Sequence, residues 1–288
     1  MVTFIHVDGT SLSAAGSSQR QAVERAVTEA FGDRYELGQV YEQPCVGTAC
    51  TNVVFTLLSR DNGQSEAFSN GSLSWPDKKH LNVLLDDSDR PSVMGYPVTG
   101  AKAPLTEQEA YKIAQQYMRE HYRWAKDAVE HKTYPVGEKA ELGWMTSWRW
   151  LHDDVLMPRM LDVQVNRAGR VSQVAVTLGP TRVKLEKAKL DAGQAEEVVR
   201  EGLVAQYQAN GGGDLSKRQL QARYQVEAFT LKAAERDGTW RPEWLANVSM
   251  RPEEPGADSL EPGEAEMWRV DAVNGQVYDG TDTPVKAD

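Results

Sequence analysis

The stretch from Gly143 to Thr177 constrains the fold of this chain more than any other part of its sequence. It opens with a tryptophan-rich run, Trp-Met-Thr-Ser-Trp-Arg-Trp-Leu-His. Apolar and polar residues then alternate on both sides of a turn at residues 166–169. Alternation at period two, with aromatic and β-branched residues and a Gly-containing turn, is typical of antiparallel strands with one buried face. We therefore expect a β-meander over this stretch.

Three amphipathic helices are predicted, because apolar residues recur at helical spacing after a capping-box pair. The three capping pairs are Ser18 with Gln21, Thr106 with Glu109, and Asp191 with Gln194. Gly32 is expected to end the first helix. Strands are predicted after that helix at Tyr35–Glu42, Asn52–Ser59, Gln64–Ser74 and His80–Leu85, with a hairpin turn at residues 61–63.

The helices and turns recur at similar intervals, which indicates internal repeats. The apolar stripe that begins at Ala195 repeats the stripe that begins at Ala110, 85 positions earlier, and the stripe of the first helix lies another 87 positions upstream. A Gly-containing turn follows each helix. We therefore predict an α+β protein of two or three repeated units, each with one helix packed on an antiparallel β-meander sheet. The expected segments are 1–100, 101–185 and 186–288, the last with an acidic loop at residues 251–264.

Charge and hydropathy exclude several kinds of partner. The chain has 288 residues and a formal net charge of -10. This charge would repel a phosphate backbone, and no basic stripe offsets it, so nucleic acid is not expected as a partner. No segment approaches the roughly 20 apolar residues of a membrane-spanning helix. The first residues, Met-Val-Thr-Phe-Ile-His-Val-Asp, lack the features of a signal peptide, so no targeting can be read from them.

The two cysteines, Cys45 and Cys50, lie close together within Pro-Cys-Val-Gly-Thr-Ala-Cys-Thr. In an oxidising compartment the Gly-containing spacer allows a local disulfide, which would stabilise the fold by about 2 kcal/mol at most. Two free buried thiols are the alternative. We predict the disulfide, because both cysteines occur in one turn-like stretch. No cluster of His and Cys supplies the roughly four ligands of a zinc site, and no metal or cofactor is expected.

The tryptophans are the candidate binding residues. Trp144, Trp148 and Trp150 share one face of a regular strand. Burial against the second helix is the favoured interpretation of this face, and an exposed platform for a peptide or a sugar is the alternative. Trp240 and Trp244, four residues apart, present the same choice, since they either line a groove or seal a loop onto the sheet.

A catalytic site is not apparent in the sequence. His152, Asp153 and Asp154 form its single His-carboxylate cluster, but neighbouring residues on a strand point to opposite faces, so a metal would require a bend and a further ligand. A solvated turn is the favoured interpretation. The chain also lacks a Gly-x-Ser-x-Gly elbow and a Gly-rich phosphate loop after a strand. A hydrolase or metal enzyme around His152 stays as the alternative from another class.

Several short motifs resemble PepSY domains, also called peptidase propeptide and YPEB domains, and the related YcdB/YcdC repeats. They are the run Leu-Thr-Glu-Gln-Glu-Ala-Tyr-Lys-Ile-Ala from Leu105, the run Val-Gln-Val-Asn-Arg-Ala-Gly-Arg-Val from Val163, and the run Trp-Arg-Val-Asp-Ala-Val-Asn-Gly-Gln-Val from Trp268. The resemblance covers residues 105–280 and, more faintly, 18–85. The segment 144–150 departs from the family pattern, because it contains more tryptophans than expected, at Trp144, Trp148 and Trp150.

The resemblance implies a helix on an antiparallel sheet, a location outside the cytoplasm, and no catalytic residues. Members of the family are associated with inhibiting or chaperoning proteases. We therefore expect a non-catalytic extracytoplasmic module that binds a protein or a peptide, with a protease as a candidate partner. A carbohydrate-binding module that uses exposed tryptophans and a hydrolase or metal enzyme around His152 are the alternatives.

Overall fold

The computed structural model of the chain describes residues 13–44, 51–59, 69–85, 105–209, 218–219, 223–250 and 266–285. Over these residues the protein has three α-helices and a large, mostly antiparallel set of strands, which confirms the predicted α+β class. Contacts divide the chain into two compact units. The first contains the described residues from 13 to 150 and Arg159–Gly179, and the second contains Leu151–Pro158 and the described residues from Pro180 onward.

The first unit is built from one sheet and two helices. In chain order its elements are β1 (Ser13–Ala14), α1 (Ser17–Phe31), β2 (Tyr35–Pro44), β3 (Thr51–Ser59), β4 (Asn70–Trp75), β5 (His80–Leu84), α2 (Glu107–His121), β6 (Glu130–Pro135), β7 (Trp144–His152), β8 (Val155–Val165) and β9 (Val171–Thr177). The end of β7 and the start of β8, within residues 151–158, belong to the second unit. The sheet runs β1-β2-β3-β4-β5-β9-β8, with β7 paired to β8 and β6 paired to β7. The predicted meander from Gly143 to Thr177 is therefore confirmed as β7, β8 and β9.

Helix α1 begins differently from the prediction. Gly16 is the N-cap, and its backbone N–H donates to Gln19 Oε1 at 2.6 Å. The predicted box of Ser18 and Gln21 is therefore wrong by two residues. The reason is that Gln19 is buried, so its amide lies where it can bond the first free backbone group. The helix ends at Phe31, and Gly32 follows with the positive φ of 62° that favours glycine.

The two other predicted capping boxes are confirmed. At α2, Thr106 N–H donates to Glu109 Oε2 at 2.9 Å and Glu109 N–H donates to the Thr106 hydroxyl at 3.3 Å. At α3 (Ala192–Ala209), Asp191 N–H donates to Gln194 Oε1 and Gln194 N–H donates to Asp191 Oδ1, both at 2.9 Å. Each box satisfies two backbone donors that a helix start leaves free.

Strand pairing between β5 and β9 joins distant parts of the first unit. His80 is opposite Thr177 and Leu84 is opposite Gln173. Strand β5 belongs to the segment predicted as the first repeat, and β9 belongs to the segment predicted as the second. These two segments therefore share one sheet, and their boundary as separate domains stays a prediction.

The second unit packs α3 on a four-stranded antiparallel sheet. The strands are β10 (Tyr224–Arg236), β11 (Thr239–Met250), β12 (Glu266–Asp271) and β13 (Val277–Tyr278), in that order across the sheet. In addition, Leu156 forms a single parallel bridge with Lys232. The core between helix and sheet contains Ala195, Val199, Val226, Ala246, Val248, Trp268, Val270 and Val277.

The starts of α2 and α3 are held by the same contact. Trp144 Nε1 donates to the carbonyl of Leu105 at 2.8 Å, and Trp244 Nε1 donates to the carbonyl of Leu190 at 2.9 Å. Leu105 and Leu190 each precede the N-cap residue of their helix. The turn glycines match as well: a Cβ at Gly169 would lie 3.6 Å from Leu105, and one at Gly275 would lie 3.7 Å from Leu190. We call this arrangement the tryptophan clamp.

Candidate functional site

The tryptophans of β7 are largely part of the core. Trp148 and Trp150 are each 3% exposed, and the Trp150 ring packs 5.5 Å from the ring of Trp124. Trp144 is half-buried, with its indole N–H bonded to Leu105. Burial of Trp148 and Trp150 is therefore confirmed, whereas the packing of this face on α2 stays a prediction. Trp148 and Trp150 present no flat surface to a sugar or a peptide, because neighbouring side chains cover them.

Trp240 and Trp244 differ from each other in their surroundings. Trp244 packs against the core of the second unit, and its N–H is bonded to Leu190. Trp240 is half-buried at the start of β11, opposite Glu235 of β10. The geometry gives Trp244 a structural role in the clamp. A binding role for Trp240 stays a prediction.

His152, Asp153 and Asp154 lie at the hairpin that connects β7 to β8. Asp153 and Asp154 have positive φ values of 51° and 61°, as the two central residues of a tight hairpin turn require. His152 Nε2 is 3.8 Å from Asp153 Oδ2, and the Asp153 side chain is 88% exposed. No group of three His, Cys, Asp or Glu able to hold a metal occurs within the described ranges. The arrangement is that of a solvated turn.

Three sequence predictions lie outside the described residues. These are the disulfide between Cys45 and Cys50, the hairpin turn at residues 61–63 and the acidic loop at residues 251–264. The strands on either side of residues 61–63, β3 and β4, are paired as a hairpin requires. Among the helices that the structure does describe, none has the length and apolarity needed to cross a membrane.

Strand β6 is the site that sequence reasoning missed. It forms one border of the first unit's sheet, because its pairing within the described chain is with β7 alone. Val136, just beyond the strand, donates its N–H to the carbonyl of Gly143 in the same register. Inward and outward groups alternate along an antiparallel strand. The backbone groups of His131 and Thr133 therefore face outward, away from β7, and Pro135 offers an outward carbonyl without a donor.

The two faces of β6 carry different side chains. On one face the His131 ring stacks on Tyr111 of α2, with centroids 5.2 Å apart and planes at 15°. Thr133 on the same face bonds the Thr146 hydroxyl at 3.1 Å. The other face carries the exposed Glu130, Lys132 and Tyr134, and Ser147 donates to the Tyr134 hydroxyl at 3.4 Å. An extended ligand beside β6 would thus meet the His131 imidazole on one side and, on the other, Lys132 between Glu130 and Tyr134.

The sequence of β6 contains a feature that is typical of a border strand. Residues 130–135 read Glu-His-Lys-Thr-Tyr-Pro, with polar residues at both parities and a terminal proline. Such a run lacks the alternation of a half-buried strand, which is why it was not predicted as one. Polar side chains and proline are the usual features of strands at a sheet border, where they discourage unwanted pairing.

Comparison with known proteins adds little to the geometry. No protein-family model matches the chain, and no curated protein matches it. A structural match is the crystal structure of an uncharacterized protein from Eubacterium rectale ATCC 33656, with a TM-score of 0.42 and 10% sequence identity. The match covers 93% of this chain and 84% of that chain. A likeness at this level carries no argument about function.

Proposed function

We propose that this protein is a non-catalytic, extracytoplasmic binding module that takes up an extended peptide as an added strand along β6. The observation that carries the proposal is the outward-facing backbone of His131 and Thr133, which lies beside helix α2. Backbone hydrogen bonds at a sheet border supply affinity, and the flanking side chains supply specificity. No metal or cofactor is needed for this activity.

The proposal treats residues 101–185 and 186–288 as two PepSY-like units, with 1–100 as a divergent third. The tryptophan clamp supports this assignment, since a bond from a strand indole to the carbonyl before the N-cap occurs at both Leu105 and Leu190. The motifs that resemble PepSY domains supply the expected partner, a peptide segment of a protease. They also supply the expected location outside the cytoplasm.

The geometry predicts which peptides should bind best. A planar or aromatic side chain on the α2 face would extend the stack of Tyr111 and His131. An acidic side chain on the opposite face would lie near Lys132, where opposite charges on neighbouring strands attract by roughly 0.2–1 kcal/mol. Peptides with both features in alternate positions are therefore the best probes.

The test replaces Thr133 in two ways. Thr133→Pro removes the outward N–H and inserts a ring at the border, whereas Thr133→Val removes the hydroxyl and keeps the N–H. An array of extended peptides of about eight residues, close to strand length, serves as the probe, and fluorescence anisotropy measures affinity for the best binders. We expect Thr133→Pro to weaken binding at least about tenfold relative to Thr133→Val, and bound peptide to slow hydrogen exchange at His131 and Thr133.

Equal affinities of the two Thr133 variants, or the absence of any binding peptide, would refute strand addition at β6. The alternative function, a hydrolase or metal enzyme around His152, is tested separately. Hydrolysis of a peptide, ester or glycan by the purified protein that is lost in His152→Ala and Asp154→Ala would replace the binding proposal.

A further inference from the structure

A cleft of about 250 Å³ lies within the first unit, between α1 and strands β4, β5 and β9. It is separate from the proposed peptide site, because β8 and β7 lie between β9 and β6 in the sheet. Its helix wall presents Ala22, Arg25, Ala26 and Glu29, which are spaced to share one face of α1. Pockets for drug-sized ligands usually occupy roughly 300–1,000 Å³. This cleft is therefore suited to a smaller molecule.

The inner surface of the cleft is apolar and well supported. Its floor consists of three buried side chains, those of Leu73, Leu81 and Val176. Trp124 forms part of the wall and is fixed on two sides, since its ring packs against Trp150 and lies under the Arg159 guanidinium, 5.4 Å from the ring centroid. An apolar ligand body would replace water on this surface, which is favourable in proportion to the area covered.

The mouth of the cleft carries an excess of cations. Arg25, Lys78 and Lys79 are exposed there, and none of them forms an ion pair with a carboxylate within the described part of the chain. Arg25 bonds its own helix through Nε to the Gln21 carbonyl, and the Lys78 ammonium lies 5.1 Å from the centre of the Trp75 ring. Glu29 is the carboxylate that lines the same cleft. Three cations against one carboxylate is a local reversal in a chain of net charge -10.

One further carboxylate, that of Asp77, and one hydroxyl, that of Tyr122, belong to residues in or beside the cleft lining. The Asp77 carboxylate, next to Lys78, is already engaged by the Lys79 N–H at 3.1 Å and by the Ser74 hydroxyl. The Tyr122 hydroxyl is buried beside that of Tyr117, which donates to the Ala30 carbonyl at 2.5 Å. The Tyr122 hydroxyl is protonated at neutral pH, as an ordinary phenol is, and burial raises its pKa further.

We propose that this cleft binds a small amphipathic carboxylate, with the apolar body on Leu73, Leu81 and Val176 and the carboxylate near Arg25 and Lys79. A guanidinium matches a carboxylate in a two-point geometry, and a lysine ammonium adds a mobile donor. Because Glu29 faces the same space, a single negative charge is favoured over a multiply charged phosphate. The apolar floor requires that the rest of the ligand be hydrocarbon.

The test uses three ligands with the same hydrocarbon chain and different head groups. Octanoate, 1-octanol and octylammonium are each titrated into the full-length protein and followed by calorimetry and by saturation-transfer NMR. The expected order of affinity is octanoate first, octanol second and octylammonium last, because the head group alone changes the interaction with the cations at the mouth. Octanoate should bind at least about tenfold more tightly than octylammonium.

A charge reversal at the cleft provides the decisive variant. The double substitution Arg25→Glu and Lys79→Glu affects exposed side chains, so the fold should be retained. It should weaken octanoate at least about tenfold and strengthen octylammonium. Lys112→Glu, an exposed charge reversal on α2 away from the lining residues, should leave both affinities unchanged. Ala26→Phe should fill the cleft and weaken all three ligands together.

The outcomes separate the proposal from its rivals. If octanol and octanoate bind equally, or if the double reversal leaves octanoate unchanged, the carboxylate site is refuted and the cleft is an apolar depression only. Failure to detect octanoate at millimolar concentration also refutes it. These results are independent of peptide binding at β6, because no residue of β6 lines the cleft. The cleft can therefore fail its test while the peptide site passes, and the reverse.

Discussion

The segments around α2 and α3 begin alike and diverge on the far side of their sheets. Both helices start at a capping box that the tryptophan clamp holds, through Trp144 in one case and Trp244 in the other. Opposite the helix, β7 and β8 carry one ion pair, Arg149 with Asp162 at 2.6 Å. The second unit instead carries a network of Arg236, Arg269, Glu243 and Asp282, together with a further ion pair between Arg241 and Asp271.

This difference shows which part of a helix-on-sheet unit is constrained. The start of each helix is constrained, because the residues next to it must bond the free backbone N–H groups and fix the direction in which the chain enters the helix. The face turned away from the helix has no such requirement. In the second unit that face carries a charged network in which Arg236 makes paired bonds to both Glu243 and Asp282 and lies 3.9 Å from the centre of the Tyr278 ring.

The largest expected effect comes from breaking that network at Arg236. Glu243 is 1% exposed, so Arg236→Ala would leave a buried charge without its partner, at a cost of about 3–5 kcal/mol in the free energy of unfolding. Arg149→Ala should cost less, about 1–2 kcal/mol, because it leaves the partly exposed Asp162. Urea unfolding of both variants measures the difference. Equal losses would contradict the expected cost of leaving the buried Glu243 without its partner, and Arg236→Lys should recover part of the stability.

Alkaline pH should weaken the first unit through two buried phenols. Burial raises the pKa of Tyr117 and of Tyr122. Above a pH of about 10 the unfolded chain loses these protons and the folded chain keeps them, so each tyrosine lowers the free energy of unfolding by about 1.4 kcal/mol per pH unit. Stability is therefore fully present below about pH 10 and falls above it.

Phenylalanine variants separate the two tyrosines. Tyr117→Phe should cost about 1 kcal/mol at neutral pH, because the bond to Ala30 is lost, and should reduce the alkaline slope. Tyr122→Phe should reduce the slope with a smaller loss at neutral pH, because its hydroxyl makes no hydrogen bond to the backbone in the described chain and lies beside the hydroxyl of Tyr117. Unfolding curves between about pH 9 and pH 11 measure both effects. An unchanged slope in both variants would contradict this account.

The clamp itself predicts equal effects in the two units. Trp144→Phe and Trp244→Phe each remove one indole N–H and leave a carbonyl before the N-cap unpaired. Each should cost about 1–2 kcal/mol. Thermal unfolding of the single variants and of the double variant checks the equivalence, since sites in separate units should add. A loss confined to one of the two tryptophans would break the comparison between the units.

The smallest expected effect is an acid response of the second unit. Burial alone would raise the pKa of Asp282, but its bonds to Arg236 and its proximity to Arg269 hold that pKa below the usual value. The stability it contributes is therefore present above about pH 4 and is lost as the pH falls further. Because a third of the side chain is exposed, we expect under about 1 kcal/mol. Asp282→Asn should remove this part of the acid dependence, which unfolding between about pH 2 and pH 5 would detect.

Local patterns predicted much of the fold, because their causes lie within a few residues. The caps of α2 and α3 and the meander of β7 to β9 follow from short-range spacing. The α1 cap was misplaced because the burial of Gln19 depends on tertiary packing. The charged network was not predicted either, since Arg236 and Glu243 have the composition of a solvated hairpin until the sheet buries one of them.

The candidate sites were not predictable for a related reason. The position of β6 at the border of the sheet follows from how all the other strands pair, which is a property of the whole sheet. The cleft draws its lining from α1, from β4, β5 and β9, and from the turn that follows α2. No window of sequence contains those residues together, so neither spacing nor periodicity marks them.

The pairing of β5 with β9 sets a limit on how early the first unit can fold on the ribosome. His80 Nδ1 and Thr177 Oγ1 are 3.0 Å apart in the finished sheet but 97 residues apart in the chain. At a translation rate of roughly 5–20 residues per second, about 5–20 s pass between the synthesis of β5 and the synthesis of β9. During that interval the nascent chain presents a strand with one side unpaired, which is a template for aggregation. We expect that slowing translation beyond residue 100 lowers the yield of soluble protein.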